Sequence, residues 1–352
     1  MKSCLLISCA VLVSAQAASA QRLPAAAEGT TRIAVLGCLR QDEPAPALSR
    51  YVASQPDLAL WVGDNVYADT EDDPAFIQEC YDTLAALPGF AALRAQAPYA
   101  ATWDDHDFGL NNEGADYPLK RASANLFRRF WQLEDAIPAD REGIYHAKRY
   151  AFGGHTLHVV LLDVRYHRDA PGAQADMLGE AQWAWLAETL QEPADLTLIV
   201  SGTQLLLPEE TGSETWAAYP QARARLIELV RRARCERVLF VTGDQHYAEV
   251  ARLPRGLDFD LVELQFAGVN QIESPEFNPY RVAPAADSRH SVGLIDVQWE
   301  ANEYDPAHLL YRVFDAETGD TEIAYRVNFS ELELGLHIAP PYEFVDTANI
   351  TM

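Results

Sequence analysis

Short apolar segments alternate with amphipathic segments along most of the chain. The apolar segments predict strands at Arg32–Gly37, Asp57–Val62, Tyr99–Trp103, His155–Val164, Leu196–Val200 and Arg237–Val241. The amphipathic segments predict helices at Ala47–Ser54, Pro74–Leu87, Leu119–Leu133, Gly179–Leu190 and Pro220–Ala233. Apolar strands that alternate with helices are typical of an α/β sheet covered by helices.

The C-terminal part of the chain has a different pattern. His308–Asp315 and Thr321–Ser330 flank a turn at Glu317–Asp320, and this order predicts a β-hairpin. The chain shows no internal repeat and no Pro- or Gly-rich linker long enough to separate independent domains. We therefore expect one main domain with a strand-rich C-terminus.

The first 20 residues have the order of a secretory signal peptide. Lys2 precedes an apolar run at Leu5–Val13, and small residues follow up to Ala20. We predict cleavage after Ala20 and export to the periplasm or the medium, with lipidation at Cys9 as an alternative. Because no later run reaches the ~20 apolar residues of a membrane span, we expect a soluble mature protein without a transmembrane anchor.

The charge of the chain excludes one class of partner. Lys and Arg number 27 against 52 Asp and Glu, so the formal net charge is −25 and the pI is near 4.6. Binding to nucleic-acid backbones needs a field of Lys and Arg, which this balance opposes. Any chemistry on a phosphate group must therefore depend on a local group of cations.

The predicted cleavage leaves three cysteines, Cys38, Cys80 and Cys235. An odd number in an oxidising compartment leaves at least one thiol unpaired or used for another purpose. A Cys80–Cys235 disulfide remains open, because spacing does not determine pairing.

Polar side chains follow four of the predicted strands at the point where each strand ends. They are Cys38, the GDNVYAD segment from Gly63, the DDHDFGLNN segment from Asp104 and the GDQH segment from Gly243. Ligands of α/β sheets bind at the carboxyl ends of the strands. We expect all four groups to face the same edge of one parallel sheet.

The residue types in these groups fit a site for two metal ions. Hard cations take carboxylate and amide oxygens, whereas imidazole and thiolate suit softer transition ions. Two such ions can activate a water for in-line displacement at phosphorus. Each group alone also has a structural interpretation: Asp64 as a turn or helix cap, Asp104–Asp107 as a solvated loop, and Cys38 as a small core residue.

The chain resembles the PhoD-like family of alkaline phosphatases and phosphodiesterases, relatives of the purple acid phosphatases among the calcineurin-like metallophosphoesterases. The resemblance covers residues 31–300. It rests on Gly37-Cys38 and on seven further segments: GDNVYAD from Gly63, TWDDHDFGLNN from Thr102, LLDVRYHRD from Leu161, MLGEAQWAWL from Met177, SGTQ from Ser201, ETWAAYP from Glu214 and GDQHYAE from Gly243.

The resemblance implies an α/β fold, a four-layer sandwich of two mixed β-sheets flanked by helices. Residues 1–20 would be the signal peptide, 31–300 the catalytic domain, and 301–352 a β-hairpin extension packed on it. The resemblance also implies Fe3+ and Ca2+ as cofactors, although zinc or manganese could occupy the same ligands. The implied metal ligands are Cys38 and Tyr67 for the ferric ion, Asp64 as the bridging carboxylate, and Asp105, Asn111, Asp244 and His246 to complete the site.

Four further residues receive a role or an expected position. His106 either protonates the leaving group or orients a ligand. The resemblance implies that Arg165 meets the substrate phosphate, for which the planar guanidinium is suited, whereas Arg168 is expected in a surface salt bridge. Trp216 either lines the substrate pocket or fastens a loop to the sheet.

The sequence therefore predicts an exported metal-dependent phosphohydrolase of phosphodiesters, phosphomonoesters or both. The alternative is a catalytically silent protein that binds metal or phosphate on the same fold. The natural substrate, whether a small molecule, a lipid or a polymer, and the oligomeric state are left open by the sequence, because loops set specificity.

Overall fold

The computed structural model describes residues 23–208 and 214–334. Its strands are β1 (Thr30–Leu36), β2 (Leu58–Val62), β3 (Tyr99–Thr102), β4 (His146–Phe152), β5 (His155–Leu161), β6 (Leu196–Ser201), β7 (Val238–Thr242), β8 (Ala248–Leu253), β9 (Leu261–Phe266), β10 (Ser291–Gln298), β11 (His308–Asp315) and β12 (Thr321–Asn328). Its α-helices are α1 (Ala47–Ser54), α2 (Pro74–Ala86), α3 (Pro88–Gln96), α4 (Asp105–Phe108), α5 (Lys120–Phe130), α6 (Glu180–Thr189) and α7 (Pro220–Ala233). The predicted signal peptide and the Cys9 alternative lie outside the described residues.

The strands form two six-stranded mixed sheets. The first sheet has the order β12-β11-β10-β1-β2-β3, and the second has the order β4-β5-β6-β7-β9-β8. In the first sheet β1, β2 and β3 are parallel, and in the second β5, β6, β7 and β9 are parallel. Two mixed sheets flanked by helices confirm the predicted fold class.

The parallel strands at the centre of both sheets are almost wholly apolar and buried. All five residues of β2 and all six of β9 are buried, as expected for strands that are covered on both faces. Helix α1 packs on the first sheet through Tyr51, whose hydroxyl donates to the carbonyl of Val35 at 2.6 Å and accepts from the N–H of Gly293 at 2.9 Å. This contact fixes the helix against β1 and β10 at once.

The C-terminal hairpin extends the first sheet. β11 pairs antiparallel with β10, and β12 pairs antiparallel with β11 from His308↔Asn328 to Phe314↔Thr321. The two strands lie where the sequence predicts them, because alternating residues on either side of a turn are a local signal. None of the helices in the described part of the chain is both long and apolar enough to cross a membrane.

Six elements were not predicted from the sequence, namely α3, α4, β4, β8, β9 and β10. Helix α3 begins at Pro88, and Leu87, whose backbone is extended, separates it from α2. β4 is half polar because it is an edge strand. β10 pairs with β1, which is far away in the sequence, beginning at Thr30↔Gln298. This long-range pairing places β10 inside the sheet, between β1 and β11.

Candidate metal centre

The predicted ligands meet where the strand ends of the two sheets face each other. Cys38, Asp64 and Asp105 follow β1, β2 and β3 of the first sheet, whereas Asp244 and His246 follow β7 of the second. The expectation of a single sheet edge was therefore wrong, since the fourth group comes from the other sheet. The turn after β6 also reaches this junction: a Cβ on Gly202 would lie 2.6 Å from Cγ of Asp104.

Three overlapping groups of side chains have donor atoms within 4.8 Å of one another. They are Cys38, Asp64 and His246; Asp64, Asp105 and His106; and Asp64, Asp104, Asp105 and Asp244. Asp64 belongs to all three groups, which is the arrangement that a bridging carboxylate requires. Sγ of Cys38 lies 3.3 Å from Oδ2 of Asp64.

Tyr67 joins the same cluster through its hydroxyl group. The hydroxyl of Tyr67 lies 2.9 Å from Nε2 of His246. Asn111 is exposed on the turn after α4, and it is the main-chain N–H of its neighbour Asn112 that donates to Oδ2 of Asp105 at 2.7 Å. The turn therefore contributes to the cluster through its backbone.

The backbone at the cluster adopts a conformation that most residues avoid. Cys38, Asp64, Asp244 and His246 have φ angles of 52°, 50°, 79° and 55°. Left-handed φ at non-glycine residues costs of order 1 kcal/mol or more, and such residues concentrate at functional sites. β1, β2 and β7 thus each end in a turn that directs the next side chains towards the junction between the sheets.

Burial disfavours the charged forms of the acidic groups in the cluster. Burial, together with the neighbouring carboxylates, holds the pKa of Asp64 and of Asp244 well above the usual value, and burial and Asp64 raise that of the Cys38 thiol. Oδ2 of Asp104 is buried without a hydrogen-bond partner among the described residues. Oxygen, nitrogen and sulfur donors around an unsatisfied carboxylate fit one or more bound cations.

His106 is held beside the cluster by an acid that the sequence did not single out. Its Nδ1 lies 2.7 Å from Oδ1 of Asp69, and its ring lies 4.1 Å from the ring of Tyr67. Burial lowers the pKa of His106, but the hydrogen bond to Asp69 and the charge of Asp105 outweigh burial and raise it overall. Asp69 ends the GDNVYAD segment, so its place in that segment was the available signal.

A second acid approaches His246 from the long loop after β9. The N–H of Glu273 donates to the carbonyl of His246 at 3.0 Å, and its Oε1 lies 3.5 Å from Nδ1 of the same histidine. An acceptor at Nδ1 favours the tautomer whose Nε2 is free to bind a metal. Nothing in the local sequence indicates this contact, because the two residues are 27 positions apart along the chain.

Arg165 is buried within the protein, where its guanidinium contacts carboxylates. Its side chain is 0% exposed, its Nε donates to Oδ1 of Asp104 at 2.6 Å, and its guanidinium also contacts Asp105 and Glu214. Arg168, which was expected at the surface, is 4% exposed and pairs with Glu214 as well. The salt bridge expected for Arg168 is therefore present, although it is buried and not at the surface, and the guanidinium of Arg165 also binds carboxylates in the interior.

The two adjacent carboxyls beside Arg165, those of Asp104 and Asp105, have very different pKa values. Burial raises the pKa of Asp104 to about 6 despite Arg165, whereas for Asp105 the effects of Arg165 and His106 outweigh burial and lower the pKa to about 2. Asp105 therefore stays ionised, as a metal ligand must. Glu214, which bridges the two arginines, was quoted in the sequence only as part of a motif.

Trp216 does not line a pocket in this structure. Its side chain is 0% exposed, and its indole Nε1 donates to Oγ of Ser201 at 3.0 Å. The residue begins a short 3-10 turn that precedes α7. Of the two interpretations from the sequence, the structure supports the one in which Trp216 fastens a loop to the sheet, and it corrects the assignment of Trp216 to substrate binding.

Cys80 and Cys235 are free thiols in the structure, as is Cys38. Cys80 lies 3.5 Å from the carbonyl of Tyr67, whereas Cys235 contacts the hydroxyl of Thr197 at 3.4 Å on the other sheet. The two side chains therefore have separate partners, and Cys38 alone of the three belongs to the cluster.

The burial of Arg165 generates a prediction about stability. Arg165→Gln leaves Asp104 and Glu214 without their buried counter-charge, so we expect the free energy of unfolding to fall by about 3–5 kcal/mol. Denaturant unfolding measures this change. Arg225→Gln is the control, because Arg225 and its partner Glu180 are both exposed and such pairs contribute little. An Arg165→Gln protein of unchanged stability but weaker substrate binding would restore the substrate role.

The raised pKa values generate a second prediction. In metal-free protein the carboxyl of Asp104 binds its proton more tightly when folded, with a pKa of about 6 against the usual 3.8. Its contribution to stability is therefore present at low pH and is lost as the pH rises from about 4 to about 6. Asp107, whose pKa burial raises to about 8, extends the loss to higher pH.

Bound cations neutralise these carboxylates, so we expect added divalent metal to raise the Tm more at pH 8 than at pH 5. Thermal unfolding of chelator-treated and metal-loaded protein at both pH values measures this difference. Asp64→Asn is the matched variant, in which the metal-induced rise should be small at both pH values. An equal rise at pH 5 and pH 8 in the unmodified protein contradicts the prediction.

Solved structures with the same fold include three with TM-scores above 0.5. The structure described as PhoD has a TM-score of 0.63 at 16% identity, with 85% of this chain and 72% of that chain covered. The purple acid phosphatase PPD1 from yellow lupin (Lupinus luteus) seeds has a TM-score of 0.59 at 13% identity, with 85% and 54% covered. GAP50 of Plasmodium, described as the anchor in the inner membrane complex, has a TM-score of 0.56 at 13% identity, with 85% and 89% covered.

The sequence comparisons identify a family but no curated relative. No curated protein matches the chain. The family described as PhoD-like phosphatase matches residues 34–291, which run from β1 to the start of β10. Together with the candidate metal ligands, this match supports a metal-dependent phosphohydrolase. Because the match spans most of its length, the chain belongs to the PhoD-like phosphatase family.

Proposed function

We propose that the protein hydrolyses phosphodiesters, phosphomonoesters or both at a centre of two metal ions. The observation that supports this proposal is the convergence of Cys38, Asp64, Tyr67, Asp105, Asp244 and His246 on one junction between the sheets. When bound, such a metal pair lowers the pKa of a coordinated water to about 7. It also stabilises the negative charge that develops at the phosphoryl group.

We propose Fe3+ and Ca2+ as the metals, with Cys38 and Tyr67 on the iron. Thiolate and phenolate are strong donors, but burial raises the pKa of both groups well above their usual values in the metal-free protein. A metal ion at short range displaces protons from such groups, and Fe3+ does so most strongly of the candidate ions because it has the highest charge. The remaining oxygen donors, among them Asp105 and the proposed ligand Asn111, suit a hard divalent ion.

His106 is the residue that we propose for proton transfer to the leaving group. Its Nδ1 is occupied by Asp69 at 2.7 Å, so Nε2 is the ring atom left for the substrate. The raised pKa of His106 favours the protonated form, which an acid catalyst requires. Asp69 positions the ring and stabilises its charge in this proposal.

A catalytically silent protein on the same fold is the second candidate. The similar structure of GAP50 is described as an anchor, so the fold also occurs in a protein that is described without an enzymatic role. Against this candidate, the present chain brings cysteine, tyrosine, histidine and three aspartates together, four of them at left-handed backbone positions. A protein that binds only phosphate has no need to retain such a set, and ester hydrolysis distinguishes the proposed enzyme from a silent metal-binding protein.

Substitution of one cysteine tests the proposal directly. We expect metal-loaded protein to hydrolyse bis-p-nitrophenyl phosphate and to lose this activity with a chelator. Cys38→Ala removes a proposed ligand, so bound iron and kcat should both fall at least tenfold. Cys235→Ala is the matched control, because this thiol precedes β7, at the opposite end of that strand from Asp244 and His246, and lies 3.4 Å from the hydroxyl of Thr197. Full metal content and full activity in Cys38→Ala overturn the metal assignment.

We also propose export by a signal peptide at residues 1–20, followed by a catalytic domain at 31–300 and an extension at 301–352. The order of charged, apolar and small residues up to Ala20 supports export. N-terminal sequencing of protein recovered outside the cytoplasm should give Gln21 as the first residue. An intact Met1 on protein retained in the cytoplasm contradicts export.

A further inference from the structure

The structure leaves the substrate phosphate without the cation that the sequence assigned to it. Arg165 and Arg168 are 0% and 4% exposed, and both bind carboxylates of the protein. Freeing either guanidinium would expose an unpaired charge on Asp104 or Glu214, which is costly in the interior. Beside the proposed metal ions, a positive side chain at the entrance would help to attract a phosphoester anion to this negatively charged protein.

Arg40 is a cation in such a position. It lies two residues after Cys38, where the chain leaves β1, and its guanidinium carbon is 4.7 Å from the centre of the Tyr67 ring. The hydroxyl of that ring contacts His246. The Tyr67 ring alone therefore separates the guanidinium from this proposed metal ligand. The side chain is 37% exposed, in contrast to both buried arginines.

The guanidinium of Arg40 keeps its donors available. Within the described residues it donates no hydrogen bond, and its nearest carboxylate is Glu43, whose Oε1 lies 4.0 Å from Nε. A contact at that distance between exposed groups is weak. The planar fork of an arginine stacked on an aromatic ring keeps its N–H groups pointing outward in the plane, which suits phosphate oxygens.

The backbone of Arg40 is fixed in place before any ligand binds. Its N–H donates to Oδ1 of Asn270 at 2.8 Å, and its carbonyl accepts from Nδ2 of the same residue at 2.9 Å. Asn270 is 1% exposed and lies on the loop after β9, the loop that also contributes Glu273. Two hydrogen bonds to one buried amide reduce the entropy lost when the arginine binds a ligand.

We propose that Arg40 is a substrate-binding residue whose guanidinium holds an anionic oxygen of the phosphoester at the mouth of the metal centre. This inference rests on the proposed function, since it presumes that a phosphoester reaches the metals. A contact of this kind is made in the ground state and in the transition state alike, so it acts on KM rather than on kcat. It assigns Arg40 the role that the sequence gave to Arg165.

The test compares Arg40→Gln, Arg40→Lys and Arg289→Gln in metal-loaded protein. Arg289 is the matched control, because it is exposed and pairs with the same Glu43. For Arg40→Gln we expect KM for bis-p-nitrophenyl phosphate and the inhibition constant of inorganic phosphate to rise about ten- to one-hundredfold. Metal content and kcat should stay within about threefold, Arg40→Lys should recover part of the affinity, and Arg289→Gln should match the unmodified protein.

The opposite pattern overturns the inference. If Arg40→Gln lowers kcat and metal content while KM and the inhibition constant stay unchanged, Arg40 supports Tyr67 and does not bind substrate. If the unmodified protein hydrolyses no ester, the proposed function fails separately. In that case the affinity for inorganic phosphate, measured by calorimetry on the same variants, still decides whether Arg40 binds the anion.

Discussion

The burial of several carboxylates at one junction between two sheets is the constraint on which the rest of the site depends. Asp64, Asp104, Asp105, Asp107 and Asp244 are all within a few residues of strand ends, and burial and mutual repulsion oppose the ionisation of all of them except Asp105, which Arg165 and His106 keep ionised. A folded protein tolerates such a cluster when its carboxyls are protonated or when cations neutralise them. Arg165 supplies one positive charge from the interior, and the donor set provides a place for metal ions on the other side.

The fold brings these acids together through its backbone. Central strands of both sheets are apolar and buried, so they hold the junction rigidly, and the polar residues begin where each strand stops. The turns there take left-handed φ angles at Cys38, Asp64 and Asp244, and Gly202 allows the second sheet to approach Asp104 closely. The strain and the close packing are stabilised by the large apolar core of both sheets.

The arginines of the site divide into two kinds by burial. Arg165 and Arg168 lie in the interior, where they hold Asp104 and Glu214 in position, while Arg40 lies at the surface over Tyr67 with its donors free. Interior arginines shape the metal centre, and an exposed one is able to meet a ligand. The chain has a net charge of −25. The exposed position of Arg40 places a positive charge where we propose that a phosphoester enters.

The sequence by itself determined the features that depend on local patterns. The bounds of α1, the C-terminal hairpin and the polar groups after β1, β2, β3 and β7 follow from periodicity and residue type. The tertiary structure alone decided that two sheets share the site, that Arg165 is buried, and that Asp69 and Glu273 contact the histidines. Burial and long-range contacts depend on how distant segments pack, and a single sequence carries no direct record of that packing.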